Sequence, residues 1–319
     1  MRRPPALVLT AGLGTRLRPL TYVRAKAAVP VNGEPLVRRV AMWLAGRGID
    51  EHVYNLHHHP ASIAACLGDG TALGVRVRYS WEPTVLGSAG GPRHALPLLL
   101  DRGSERFLIV NGDTLTDVDL DALLERHEHS RARVTMSLIP NPAPEKYGGV
   151  TVSADGFVTG FTRPGSGVES FHFIGVQVAE ADVFSHLEDN VVSESVNGLY
   201  PVMIREARGS IAAFVSDATF NDIGTPLDCL RTSLALIAKE GDRMVARSAQ
   251  IAANAIVERT AIWDDVIVGA GAQLRDCIVA DRVTIPAGAE YTRCAIVRAE
   301  GHTAGRDEQI DGDLLIRAI

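Results

Sequence analysis

Leu9-Thr-Ala-Gly-Leu-Gly-Thr-Arg-Leu-Arg-Pro-Leu-Thr21, entered from the apolar run Ala6-Leu-Val-Leu and followed by Lys26 and Pro30, is the stretch on which the fold turns. A short apolar run of this kind is a buried strand, and here it opens directly into Gly12-x-Gly14-Thr15-Arg16. A strand feeding a glycine turn is a phosphate-binding arrangement. Glycines let backbone N–H groups approach anionic oxygens, and a helix start adds a favourable dipole. Leu17 stands where the third glycine of a dinucleotide fingerprint belongs, and no Gly-Lys-Ser/Thr ending follows. Neither a dinucleotide site nor a P-loop is therefore expected. Arg16 and Lys26 add fixed positive charge beside the turn.

Outward from this turn, short runs rich in β-branched residues alternate with longer amphipathic segments. Strands are expected over 6–10, 52–56, 75–80, 107–110 and 134–138, with helices over 35–47, 60–67, 90–100 and 120–130 between them. Such alternation implies a mainly parallel sheet covered on both faces. After Tyr147 the strands shorten (149–153, 157–161, 171–178, 211–215) and read as antiparallel additions; 227–238 reads as a closing helix and 239–250 as a connector. The tail has another period. Apolar residues recur every six positions at Ile256, Ile262, Val268 and Leu274, then after a one-residue slip at Val279, Ile285, Tyr291 and Val297. Period six is a hexapeptide repeat, one apolar residue per flat face of a parallel β-helix, and eight positions make two to three coils.

At 319 residues, 46% hydrophobic and 22% charged, the chain is long enough for one large domain and an appendage. A net charge of −6 argues against a nucleic-acid-coating protein but leaves room for a local cationic cluster that binds a polyanion. Cys66, Cys229, Cys277 and Cys294 show no Cys-x-x-Cys spacing, so reduced, mostly buried thiols are expected. The opening Met1-Arg2-Arg3 and its apolar run stop at Gly12, too short for a signal peptide, and no stretch approaches a membrane span. A cytoplasmic protein without membrane contact is expected. His57-His58-His59 reads as a loop or partly buried cluster rather than a metal-ligand set, since alternate residues of an extended run point apart. His127 and His129, on a charged helix face, read as solvated.

Three further motifs join the first: Leu86-Gly-Ser-Ala-Gly-Gly91, Phe107-Leu-Ile-Val-Asn-Gly-Asp113 and Phe220-Asn-Asp-Ile-Gly-Thr-Pro226. Together with Gly-x-Gly-Thr-Arg-x-x-Pro-Leu-Thr they resemble the sugar-1-phosphate nucleotidylyltransferase family, in particular its mannose-1-phosphate guanylyltransferase-like branch. The resemblance covers nearly the whole chain. It implies an α/β fold: a Rossmann-like mixed, mainly parallel sheet nucleotidyltransferase domain over residues 1–240 and a short left-handed parallel β-helix over 251–319. It also implies a nucleotide site at Leu9, Ala11, Gly12, Gly14, Thr15, Arg16, Glu82, Gly87 and Gly90, and a sugar-phosphate site at Lys26, Gly149, Thr162 and Arg163. The implied substrates are an NTP, with GTP favoured, and a sugar 1-phosphate. A homo-oligomer is expected, with the tail as an assembly or regulatory module.

The chemistry of these side chains agrees with that resemblance. Asp113 follows four apolar strand residues, which puts its carboxylate at the carboxyl edge of a parallel sheet, where α/β proteins bind ligands. Asp222 is a second carboxylate far along the chain, and two carboxylates plus phosphate oxygens suit Mg²⁺. Catalytic roles fall to Arg16, Lys26 and Asp113: a sugar-phosphate oxygen attacks the α-phosphorus, and cations offset the repulsion between two anions. Glu82 is a candidate acceptor for guanine's N1–H and N2–H, with an ordinary exposed charge as the alternative. Two departures from the family pattern point to an unusual hexose, a heptose or a sugar-like cyclitol as the acceptor. Thr162-Arg163-Pro164 replaces Glu-Lys-Pro, and Ala25 and Ala27 replace prolines beside Lys26. A non-catalytic regulatory paralogue would be expected to lack Arg16, Lys26 or an aspartate, all present here. An acyltransferase would need more coils than this tail has.

Overall fold

The computed structural model describes residues 3–319. The chain forms two compact units. One takes the N-terminal strand up to Gly12, Val40–Pro60 and Leu67–Asn221; the other takes Leu13–Arg39, Ala61–Cys66 and Asp222–Ile319. The segment after the first strand thus groups with the tail, an association that chain order does not suggest.

The first unit holds a nine-stranded sheet. Its strands are β1 (Ala6–Leu9), β2 (Glu51–Leu56), β3 (Arg76–Trp81), β4 (Arg106–Asn111), β5 (Val134–Pro140), β6 (Gly149–Val152), β7 (Val158–Thr162), β8 (Phe171–Glu180) and β9 (Ile211–Val215). β1 pairs in parallel with β2 and β4, β2 with β3, and β5 with β9. β8 runs antiparallel to β4 and β5, between which it lies; β6 pairs antiparallel with its start, and β7, antiparallel to β6, runs in the same direction as β8. The central strands read as unbroken apolar runs because both faces are covered: every residue of β2 is buried. On one face Leu7, Val53, Ile109 and Met136 pack with Leu96 and Leu99 of helix α1 (Gly87–Leu99) and with Tyr200 and Met203 of a later helix, Tyr200–Glu206. On the other lies α2 (Leu120–Ser130), which Asp119 caps by accepting from the Asp121 and Ala122 N–H groups.

His127 corrects the expectation of a solvated side chain. It is 2% exposed, with Nδ1 2.8 Å from Thr135 Oγ1 and Nε2 3.0 Å from Glu180 Oε1, and burial lowers its pKa. The charged helix face hid it, since a histidine satisfied by one hydroxyl and one carboxylate has no sequence signature.

In the second unit three short 3₁₀ turns (Thr15–Leu17, Leu20–Tyr22, Lys26–Ala28) replace the helix that the glycine turn suggested. Helix Pro226–Glu240 starts with a capping box between Thr225 and Asp228. The tail is a parallel β-helix of three ladders. Their inward rows are Ile251, Val268, Ile285; Val257, Leu274, Tyr291; and Ile262, Val279, Ile296. Row neighbours stand 17 residues apart, so the one-residue slip recurs on every coil, at the corners occupied by Arg259, Asp276 and Arg293 in left-handed backbone conformation. This corrects the expected series at both ends. Val257 rather than Ile256 belongs to the row, since Val257 stands in register with Leu274 and Ile256 with Gln273; Ile296 rather than Val297 stacks on Val279. A C-terminal hairpin that no period announces, Glu308–Asp311 with Leu314–Ala318, covers the last strand, Cys294–Arg298, in antiparallel pairing. No helix among the described residues is long and apolar enough to cross a membrane.

Candidate active site

At the carboxyl end of β1 the two glycines of the turn have different surroundings. Gly14 has φ +62°, and a Cβ there would lie 2.8 Å from Thr21 Cγ2 and 3.0 Å from Lys26 Cβ. Thr21 Oγ1 also donates to the Gly14 carbonyl at 3.0 Å. Gly14 is therefore a packing glycine, seated against the stem of Lys26. Gly12 is exposed and has no atom within 4 Å of its missing Cβ, so its face is the open one. Thr15 and Arg16 are exposed beside it, and Leu9 and Ala11 lie in and after β1. Because only a 3₁₀ turn follows, what this segment can offer an anion is backbone N–H groups and side-chain cations rather than an α-helix dipole.

The end of β1 is held by a buried polar chain. The Thr10 N–H donates to Asn55 Oδ1 (2.6 Å), and Asn55 Nδ2 donates to Glu82 Oε1 (2.7 Å). The Leu86 N–H donates to Glu82 Oε2 (2.9 Å). Glu82 is 0% exposed, which corrects the alternative expectation of an ordinary exposed charge. Both oxygens already accept from the protein, and the carboxylate tethers β1, β2 and the glycine-rich turn. Asn55 was missed, because its role exists only through the β1–β2 register, which sets Leu9 opposite it.

The glycine-rich turn also packs against protein. A Cβ at Gly87 (φ +81°) would lie 2.6 Å from the Ser193 carbonyl oxygen, and one at Gly90 2.6 Å from that of Val191. Ser193 O accepts from the Ala89 and Gly90 N–H groups, and the Glu194 carboxylate accepts from Ser88. These glycines make room for the strap 191–195, which no local pattern indicates.

Asp113 lies two residues past β4, whose Asn111 is in register with Leu9, and the Gly112 N–H donates to the Leu9 carbonyl at 3.0 Å. On the hairpin, the Gly149 N–H donates to Thr162 Oγ1 (3.1 Å), and a Cβ at Gly149 would fall 2.4 Å from Ser170 Cβ. Arg163 is exposed next to it. Beside them Tyr147, His172 and Phe220 form an aromatic cluster with centroids 4.5–5.7 Å apart. Burial lowers the pKa of His172. Tyr147 precedes Gly148-Gly149, but nothing local announces its partners. In the other unit, a Cβ at Gly224 would lie 3.1 Å from Asp222 Oδ2 and 3.2 Å from Arg16 Nη1. Arg16 and Asp222 therefore border one small space that Gly224 keeps open. His57, expected in a loop cluster, has Nδ1 2.9 Å from the Glu82 carbonyl oxygen, and His58 and His59 pack ring to ring at 4.2 Å.

The nucleotidyl transferase pattern matches residues 5–239. The chain belongs to that family. Within it the chain falls in the sugar-1-phosphate branch. It is 27% identical over 300 residues to the mannose-1-phosphate guanylyltransferase of Mycobacterium tuberculosis, covering 90% of this chain and 83% of that one. It is 35% identical to the N-acetylmuramate alpha-1-phosphate uridylyltransferase of Neisseria meningitidis serogroup B (69% and 93% covered). To the D-glycero-alpha-D-manno-heptose 1-phosphate guanylyltransferase of Aneurinibacillus thermoaerophilus it is 31% identical (70% and 94% covered). The fold matches that of HddC from Yersinia pseudotuberculosis, solved complexed with GMP-PN, with a TM-score of 0.63 at 20% identity over 73% of this chain and 100% of that one.

For a nucleotidyltransferase the donor chemistry around Gly224 is informative. Asp222 offers hard carboxylate oxygen at the edge of a space that a methyl group would fill. Among the described residues no group of three His, Cys, Asp or Glu is assembled as a closed metal cage. A single carboxylate at the edge of such a space fits a hard cation that takes most of its ligands from phosphate and water, as Mg²⁺ does, rather than a cation that needs a full set of protein ligands.

Proposed function

We propose that this enzyme transfers GMP from GTP to a hexose- or heptose-type sugar 1-phosphate, releasing pyrophosphate. The observation that carries the choice of base is coverage: the match to a guanylyltransferase extends over 90% of the chain, tail included, whereas the uridylyltransferase match covers 69%. The 35% identity of the latter supports a second reading, uridylyl transfer, which the same experiment tests. Replacement of the family's Glu-Lys-Pro by Thr162-Arg163-Pro164 supports an acceptor other than plain mannose 1-phosphate.

The nucleophile, a sugar-phosphate oxygen, is ionised at neutral pH, so no general base is required. What must be supplied is alignment and relief of repulsion between two polyanions. The backbone around Gly12 and Thr15, with Arg16, takes the triphosphate and the charge that gathers on the departing pyrophosphate. Lys26 holds phosphate beside the reacting centre. Gly149, Thr162 and Arg163 face the sugar phosphate, Arg163 as a fork suited to phosphate. Asp113 and Asp222 are the residues that would hold Mg²⁺, which supplies charge neutralisation between the two anions. Residues 1–240 make up the catalytic domain and 251–319 the appended one. Four free cysteines support a reducing, cytoplasmic setting. Ile251 and Ile256, exposed on the first coil, support self-association through the tail, which the mass in solution reports.

The test is pyrophosphate release with each NTP against a panel of sugar 1-phosphates, with Mg²⁺ and with EDTA. GTP with one hexose or heptose 1-phosphate is the expected pair, with turnover abolished by EDTA. Arg16→Ala and Asp113→Ala are each expected to lose about 10²–10³-fold in kcat with the fold retained. Preference for UTP replaces the first reading by the second, and near-wild-type turnover in either variant overturns the site assignment.

A further inference from the structure

Asp264 and Asp281 stand at the same corner of successive β-helix coils, one 17-residue repeat apart, and the Asp264 N–H donates to Asp281 Oδ1 at 3.2 Å. Two stacked carboxylates repel each other unless a cation joins them. Arg24 is that cation. Its Nε donates to Asp281 Oδ2 at 2.7 Å, and its Nη2 donates to Asp281 Oδ1 and to Asp264 Oδ2, both at 2.6 Å. The guanidinium carbon lies 5.3 Å from the centre of the Trp263 ring, and the side chain is only 15% exposed. A fork shared by two carboxylates and stacked on an indole is arginine geometry that a lysine cannot reproduce.

Arg24 is two residues before Lys26, and the chain between them has little freedom. Ala25 is 0% exposed, its N–H donates to Ser62 Oγ at 3.0 Å, and its carbonyl accepts from the Ala28 N–H at 2.8 Å. Lys26 in turn packs against Gly14, where the nucleotide turn begins. The tail grips the same segment twice more. Arg317 Nη1 donates to the Arg18 carbonyl at 2.7 Å, and His302 stacks on Tyr22 with centroids 4.3 Å apart.

We propose that Arg24 is a positioning residue for this reaction: clamped by Asp264 and Asp281, it lets the β-helix set where Lys26 and the phosphate turn sit. The inference rests on the reading of Lys26 as a phosphate ligand. Through-chain displacement of about 1 Å at a phosphate ligand costs about 10²-fold in rate, so the tail acts on turnover while touching no substrate.

The experiment uses the full-length enzyme and the substrate pair that the wild type turns over, with kcat, KM for each substrate and thermal midpoint measured for each variant. Arg24→Met and Asp281→Asn are expected to lower kcat about 10-fold or more with smaller changes in the nucleotide KM. Combining them adds little, since each breaks the same clamp. Arg24→Lys restores part of the loss. Asp276→Asn breaks the Arg259–Asp276 pair at another corner and leaves kcat unchanged. An Arg24→Met enzyme within about 2-fold of wild-type kcat, beside an inactive Lys26→Ala, overturns the inference alone. So does an Asp276→Asn enzyme that loses as much as Asp281→Asn. A fully active Lys26→Ala overturns the underlying site assignment, and the inference with it.

Discussion

At Gly224 the missing side chain leaves a space bordered by Asp222 Oδ2 at 3.1 Å and Arg16 Nη1 at 3.2 Å from where a Cβ would stand. A single methyl group there would push apart the Asp222 carboxylate and the Arg16 guanidinium, two groups of the proposed site. Both are ends of side chains, so the fold can absorb the change while the site cannot. Gly224→Ala is therefore expected to lower kcat about 10–100-fold while moving the thermal midpoint by no more than about 2 °C. A drop in midpoint large enough to explain the lost activity would make Gly224 a folding residue instead. Gly12 is the contrasting case, with open space above it and room for a ligand rather than for a neighbour.

Among elements, the carboxyl end of β1 depends on β2 and on the turn before α1. Glu82 is the joint: it takes one hydrogen bond from Asn55 and one from the Leu86 N–H, in a place that water does not reach. Glu82→Ala leaves two buried donors without a partner and is expected to destabilise the protein by roughly 2–4 kcal/mol in urea unfolding. Glu82→Gln keeps the volume and one acceptor oxygen and should recover part of that. An alanine variant as stable as the wild type would refute the buried-joint role. The motif around Glu82 was legible before folding; its task was not, because buried and exposed glutamates look alike until strand register is known. Likewise the six-residue period disclosed the β-helix, while its 17-residue coil needed the ladders Val257–Leu274–Tyr291 and Ile262–Val279–Ile296.

Across the whole molecule, global stability carries its own pH signature. His52 is 0% exposed inside β2, with Nε2 3.0 Å from the Ile49 carbonyl oxygen and Nδ1 3.2 Å from Tyr54 Oη. Burial lowers its pKa from 6.5 to about 4. The folded state thus holds the neutral ring, and the unfolded chain takes up the proton first. Stability from this residue is fully present above pH 6.5 and is lost as pH falls toward 4, by roughly 3 kcal/mol in all. Urea midpoints measured through that window should fall more steeply for the wild type than for His52→Gln; parallel curves would remove His52 as the cause. The amino-acid sequence by itself determined the alternation of strands and helices, the glycine turn after β1, the aspartate-bearing strand end and the β-helix, because these are carried by local periodicity and by residue types next to each other in the chain. Only the tertiary structure decided that Glu82 is a buried tether, that residues 191–195 cover the glycine-rich turn, that Gly224 opens a space between Arg16 and Asp222, and that Arg24 is clamped by two coils of the tail. Each of those depends on groups far apart in sequence and meeting at a particular register, which no local pattern encodes.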